Sequence, residues 1–220
     1  MKTNKFSSRQ ILFLLLFFTI VFAASKISLF KIVGSNQSFT LFEFLYPLPA
    51  AFLGSLWGGG IVLLVKILNW LLTGQSLDLI TFVRFFPAVF AAIYFASKSK
   101  WNLIVPIICM ILFWSHPIGR AAFPYGIFWL IPILVFPFKK NLPFNALGST
   151  FIAHAIGSTA FLYSLPMSPE IWRGLIPVVL MERFIFATGI SFSYVVFSLT
   201  IKYILKKVRE REIVAQNVIR

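Results

Sequence analysis

Acidic side chains are scarce: six Asp and Glu stand against 20 Lys and Arg in 220 residues, and charged residues of both signs amount to only 12%. So few charges cannot coat a water-facing sphere of this size, which excludes the secreted, cytosolic and disordered classes together. Cysteine is almost missing. Cys109, the one thiol, lies inside an apolar stretch, so there is no disulfide framework and no thiolate metal cluster, and a buried, inert side chain is expected. The motifs of soluble catalysis are absent as well: no phosphate-cradling loop, no dinucleotide glycine fingerprint, no nucleophile elbow and no His-Glu-x-x-His. The chain therefore does not hydrolyse ATP by itself, and no enzymatic activity, cofactor or metal is predicted for it.

What fills the chain instead is apolar: 59% hydrophobic and 18% aromatic residues, with 27 Phe. Such a composition predicts an all-α, polytopic transmembrane bundle whose outer surface meets lipid. Apolar runs cover residues 11–32, 41–72, 79–97, 101–114, 121–138, 144–165 and 171–205. The first, behind a basic start, also has the form of a signal peptide, but its apolar character continues to Ile32 and gives the length of a span. The second is too long for one upright helix and contains Pro47, Pro49 and the triplet Gly58-Gly59-Gly60, so it breaks or turns back.

The formal charge of +14 suggests nucleic acid in a soluble protein, but here its placement is topological. Lys2, Lys5 and Arg9 precede the first run, Lys98 with Lys100 and Lys139 with Lys140 separate later runs, and residues 202–220 hold six more cations. Cytoplasmic loops cluster charge in this way. Putting all four groups on the cytoplasmic side gives six full crossings plus one broken or re-entrant hairpin, with both termini cytoplasmic in an inner-membrane, multi-pass protein. The competing count reads residues 41–72 as one tilted helix and gives seven spans. Three segments follow: a basic N-terminus (1–10), the transmembrane domain (11–205) and a charged cytoplasmic tail (206–220). Small residues at four-residue spacing, Ala88/Ala92/Ala96, Ala50/Gly54/Gly58 and Ser149/Ala153/Gly157, suit close helix packing inside the bundle or docking of a partner.

Ionisable groups at membrane depth require a partner or an aqueous cavity. Glu182 and Arg183 are adjacent and point about 100° apart on a helix, so they are expected to reach different neighbours, with Arg84 as counter-ion for Glu182. His154 and Ser158 lie one turn apart and act either as hydrogen-bonding glue or as a relay; Asn69 has the same ambiguity. Arg84, His154, Ser158, Glu182 and Arg183 form the expected buried polar network. On the extracytoplasmic side, His116 and Arg120 in one loop, Tyr125 and Trp129 on the next helix, Trp172 and Arg173 in a second loop, and Glu43 with Tyr46 at the entrance of the broken hairpin are the expected contacts of a small, flat or anionic solute. An aromatic interface belt with snorkelling Arg is the alternative account.

Phe39-Thr40-Leu41-Phe42-Glu43-Phe44-Leu45-Tyr46-Pro47 leading into Phe52-Leu53-Gly54-Ser55-Leu56-Trp57-Gly58-Gly59-Gly60, then Gly157-Ser158-Thr159, Pro166, Trp172 and Leu175-Ile176-Pro177, resemble the substrate-binding S components of energy-coupling factor transporters. The resemblance implies a vitamin- or metal-capturing subunit with an outward-facing site, working with a transmembrane coupling subunit and two cytoplasmic ATPases; the expected solute here is vitamin-like or cofactor-like, and the topological placement of the charge leaves no nucleic-acid partner. One departure is visible: the family's Ala-x-x-x-Ala pattern on the first helix is replaced by adjacent Ala23 and Ala24, while the four-spaced alanines stand at 88, 92 and 96. Two other functions fit the composition: an intramembrane enzyme acting on a lipid or peptide through Glu182, Arg183, His154 and His116, and an assembly partner docking through the alanine stripe.

Overall fold

In the computed structural model, which describes residues 8–31, 38–74 and 76–218, the chain is mostly helical, in agreement with the all-α expectation, with one two-stranded hairpin added. Helix α1 (Ser8–Ala24) ends where residues 25–32 were expected to continue it. Strand β1 (Ser28–Lys31) follows instead and pairs antiparallel with β2 (Ser38–Thr40). Phe30 and Phe39 face each other in this register and both pack on Phe186, 5.8 and 4.8 Å between ring centroids. Aromatic cross-strand pairing explains why so short a hairpin forms. Lys2, Lys5 and Ile32 lie outside the described residues.

The long second run does break, but not at its glycine triplet. Helices α2 (Phe42–Leu45) and α3 (Pro47–Leu53) precede Gly54, and α4 (Ser55–Thr73) follows it. Gly54 has φ +87°, a left-handed backbone open to residues without Cβ. The chain folds back there, and Gly58 then lies so close to Ala50 that an added Cβ would be 2.1 Å from its Cα. The stripe Ala50/Gly54/Gly58 is thus an intramolecular corner.

Helices α5 (Leu79–Val83) and α6 (Phe86–Ala96) run on through Arg84, and α7 (Ile104–Ser115) returns after a 3-10 turn. Short α8 (Pro117–Ala121) leads to residues 123–138, which form a chain of brief turns including α9 (Phe123–Gly126) and α10 (Ile131–Leu134). Pro124, Pro132 and Pro137 each fall in the first turn of a new piece, where a missing N–H is tolerated. Helix α11 (Leu142–Leu162), α12 (Pro169–Gly174) and α13 (Ile176–Val218) complete the fold. Residues 206–218 continue α13.

Among the described residues, three helices are long and apolar enough to cross a membrane: Ser55–Thr73, Leu79–Ala96 and Ile176–Val208. Their outward faces expose Leu56, Leu79, Phe192 and Leu199, as a lipid-facing surface does. Helix α11 is the inverse: twelve of its 21 residues are buried and many are polar, so it is the centre of the bundle. Ser149 Oγ donates to Ala91 O at 2.8 Å and Asn145 Nδ2 to Phe95 O at 2.9 Å, fixing α11 to α6. Of the alanine stripe, Ala88 and Ala92 are buried in this same contact region and Ala96 is half-buried, so the stripe packs within the bundle. Cys109 is buried beside Phe113. At one end of the bundle Lys139 Nζ donates to the carbonyls of Tyr94 and Ser97, joining the end of α6 to the start of α11. The opposite end carries the β-hairpin, α8 and α12.

Candidate functional site

A cavity of about 230 Å³ opens in the half of the bundle nearer the hairpin, between α4, α6, α11, α12 and α13. Its polar lining comes from five places in the chain. Glu43 stands at the start of α2, Lys66 on the returning α4, Arg84 at the junction of α5 and α6, and Glu182 and Arg183 on α13, while His154 and Ser158 come from α11. Tyr125 and Trp172 add aromatic walls. The corner at Gly54 is what makes this possible, since it returns α4 beside α2 and brings Lys66 within electrostatic reach of Glu43.

Each cation rests on aromatic surface. Arg183 lies over Phe186 at 4.6 Å and Phe39 at 5.5 Å, Lys66 over Phe42 at 4.4 Å, and Arg84 near Phe161 at 6.0 Å. Ring quadrupoles favour a cation there without neutralising it. Arg183 also donates from Nη2 to Glu182 Oε2 at 3.3 Å and from Nη1 to Thr150 O at 3.4 Å. This corrects the expectation that Glu182 would pair with Arg84: the guanidinium is long enough to span the angular offset between adjacent helix positions. Arg84 turns to Phe161 instead.

Beneath the cations runs a chain of hydrogen bonds. Trp129 Nε1 donates to His154 Nδ1 at 3.1 Å, His154 Nε2 meets Tyr125 Oη at 2.9 Å, and Tyr125 Oη meets Ser158 Oγ at 3.1 Å. An indole N–H can only donate, so Nδ1 is the accepting nitrogen and Nε2 carries the proton of a neutral imidazole. His154 therefore donates to Tyr125, whose hydroxyl makes a second hydrogen bond with that of Ser158. The rings of Phe113, Tyr125, Trp129 and Trp172 clamp this chain through edge contacts of 4.8–5.4 Å.

Five expected site residues stand apart from the cavity or below its surface. His116 accepts from Ile118 N at 3.3 Å through Nδ1, capping α8, and packs its ring on Tyr163. Arg120 is exposed on α8. Arg173 is bound at 2.8 Å to Glu170 one helical turn away, both exposed. On this loop Glu170 is held below the usual carboxylate range by its own backbone N–H, by Ser168 and by Arg173. Tyr46 is buried against Phe42 in the core, and Trp129 acts from behind His154. The remaining expected residues, Glu43, Arg84, Tyr125, His154, Ser158, Trp172, Glu182 and Arg183, all line the cavity. Lys66 is the addition: a lysine within an apolar helix is the same signal that singled out Arg84. Among the described residues no three His, Cys, Asp or Glu side chains gather as metal ligands.

No protein-family model matches the chain, and no solved structure matches it. The chain is similar to a Methanocaldococcus jannaschii protein described as uncharacterized protein MJ0923, with 26% identity over 215 residues, covering 88% of this chain and 72% of that one.

Proposed function

We propose that this protein is a multi-pass protein of the cytoplasmic membrane that captures a small solute in its outer half and serves as the substrate-binding subunit of an uptake transporter. The observation that carries the proposal is the convergence of three cations, two carboxylates and an ordered Trp-His-Tyr-Ser chain on one cavity within an apolar bundle. Ionisable groups are costly at this depth, at about 2.5–3.5 kcal/mol each on insertion scales, so a bundle that gathers five of them around an opening is using them. The volume, near the lower end of ligand sites at about 300–1,000 Å³, suits a small molecule.

The topology of this reading is six crossings, a broken hairpin and cytoplasmic termini. Its support is the gathering of Lys98, Lys100, Lys139 and Lys140 at the end where Lys139 meets Ser97 O, opposite the hairpin, and the reversal at Gly54. Binding is favoured over catalysis because both ring nitrogens of His154 are engaged by Trp129 and Tyr125, which leaves Ser158 without a free base. Energy for release to the cytoplasm then comes from a separate coupling subunit with its ATPases, as the S-component resemblance implies.

The test is a thermal-shift screen of the detergent-purified protein against small solutes. A bound solute at one hundred times its Kd stabilises by about 2.7 kcal/mol. Gly157→Trp, which projects into the cavity from a position where a Cβ meets nothing within 4 Å, removes the shift, whereas His116→Ala and Arg120→Ala retain it. A shift that survives Gly157→Trp places the solute elsewhere and sinks the proposal.

A further inference from the structure

Three features of the cavity point in one direction. The first is charge. Lys66, Arg84 and Arg183 face Glu43 and Glu182, three cations against two carboxylates, and His154 adds nothing because Trp129 holds it as a neutral acceptor. The lining itself therefore carries one net positive charge in a largely apolar enclosure, offset only from outside it by Asp78, which lies within electrostatic reach of Arg84, an arrangement that a bound anion relieves.

The second is the supply of donors. Arg183 is 4% exposed and its Nε has no hydrogen-bond partner; Trp172 is 2% exposed and its Nε1 has none. Both residues line the cavity. Orphaned N–H groups at such depth are rare in folded proteins and ask for an acceptor. The third is direction. The bond between Tyr125 and Ser158 uses only one of their two hydroxyl hydrogens, and both residues line the cavity, so the other hydrogen is left to be given onward. The polar chain that begins at Trp129 thus delivers a donor, not an acceptor, to the solute. Phe161, Leu175 and Val178 complete the wall with apolar surface.

We infer that the cavity selects a small monoanionic solute, a carboxylate head on an apolar body, with the head held by Arg183, Ser158 and Trp172 under the field of Lys66 and Arg84. This rests on the solute-binding reading above and narrows it to one charge class. The carboxylates Glu43 and Glu182 orient the cations and exclude a second negative charge from the head group.

The field in the cavity is measurable without knowing the solute. In a Cys109→Ala background, Gly157→Cys places a thiol where a Cβ meets nothing within 4 Å, and Ala153→Cys supplies a second position on the same wall. Each thiol is reacted with anionic 2-sulfonatoethyl methanethiosulfonate and with cationic 2-(trimethylammonio)ethyl methanethiosulfonate, and each rate is divided by that of β-mercaptoethanol. The expected result is an anionic preference of about tenfold or more, the effect of one net positive charge in the lining at close range. Lys66→Gln and Arg183→Gln each reduce it, and either variant suffices if the other fails to fold. A normalised ratio of one, or a cationic preference, overturns the anionic solute and leaves solute binding standing. Thiols inert to both reagents in the folded protein, yet reactive once it is denatured, overturn both.

Discussion

The triplet Gly58-Gly59-Gly60 offers a graded test of the corner that brings Lys66 to Glu43. A Cβ at Gly58 would sit 2.1 Å from Ala50 Cα and N and 2.4 Å from the Pro49 carbonyl carbon, all backbone atoms. Carbon atoms pack at about 3.5–4.0 Å, so Gly58→Ala forces α3 and α4 apart by about 1.5 Å, and a gap of even about 0.5–1 Å forfeits a quarter to a half of each contact's attraction. The loss falls on buried Ala50, Ile61 and Val62, giving about 3 kcal/mol, the upper end of ordinary overpacking. At Gly59 the nearest neighbour is Ile93 Cγ1 at 3.3 Å, a side chain that can rotate at a cost of about 0.5–1.5 kcal/mol. At Gly60 nothing lies within 4 Å, so alanine adds helix propensity of up to about 1 kcal/mol. Denaturant unfolding in detergent, followed by tryptophan fluorescence, ranks Gly60→Ala above Gly59→Ala above Gly58→Ala. Solute affinity falls with Gly58→Ala alone, because the corner sets the position of Lys66. Equal stability of the Gly58 and Gly60 variants would refute the close approach and with it the folded-back hairpin.

Trp129→Phe removes the donor to His154 Nδ1 and leaves a buried acceptor unsatisfied, costing about 1–3 kcal/mol; nitrogen-15 NMR of the imidazole then no longer reports proton occupancy confined to Nε2, and an unchanged tautomer would break the directional chain. Thr40→Cys and Thr73→Cys in the Cys109→Ala background are labelled by impermeant maleimide from the same, outer side of the membrane, whereas one tilted helix over residues 41–72 puts them on opposite sides. Asp78 caps α5, accepting from Thr81 N at 2.8 Å, and Thr81, through its side chain and its N–H, holds the carboxyl below its usual range. A lowered folded pKa means the stabilisation is complete above the ordinary carboxylate pKa and disappears as pH falls through the lowered one. The thermal midpoint therefore drops more steeply between about pH 5 and pH 2 in the parent than in Asp78→Asn, which keeps a capping oxygen that does not titrate; parallel curves would count against the cap.

Most of the cavity was legible because ionisable residues inside apolar runs are conspicuous: Arg84, His154, Glu182 and Arg183 stand out individually. What the sequence could not settle was direction. His116 and Arg120 share a loop that follows α7, but the turn into α8 uses His116 as a cap and leaves Arg120 exposed, and neither outcome is encoded in local periodicity. Lys66 escaped notice because residues 41–72 were read as one apolar stretch, within which a single lysine changes the average little. The break was likewise expected from Pro47, Pro49 and three consecutive glycines, whereas the backbone turns at Gly54, the position with positive φ. The triplet serves close packing instead. Residues 28–40 were invisible as a hairpin since their pairing rests on Phe30, Phe39 and the distant Phe186.

Helix α11 shows how one stripe of small residues yields two results at two depths. In its first half, Gly148 lies against Tyr94, where a Cβ would come 2.4 Å from the hydroxyl that donates to Pro132 O, and Ser149 is bonded to Ala91. Small side chains there let helices touch. Two turns later, Ala153 and Gly157 line the cavity, and Gly157 has no neighbour within 4 Å of its Cβ direction. Small side chains here keep space open. The two glycines should therefore respond oppositely to added volume. Gly148→Ala breaks the Tyr94–Pro132 bond and lowers the unfolding midpoint while sparing solute binding in the folded fraction. Gly157→Leu fills empty space, keeps the midpoint and abolishes binding. If Gly157→Leu instead destabilises as Gly148→Ala does, α11 is packed along its whole length and there is no room for a solute beside His154.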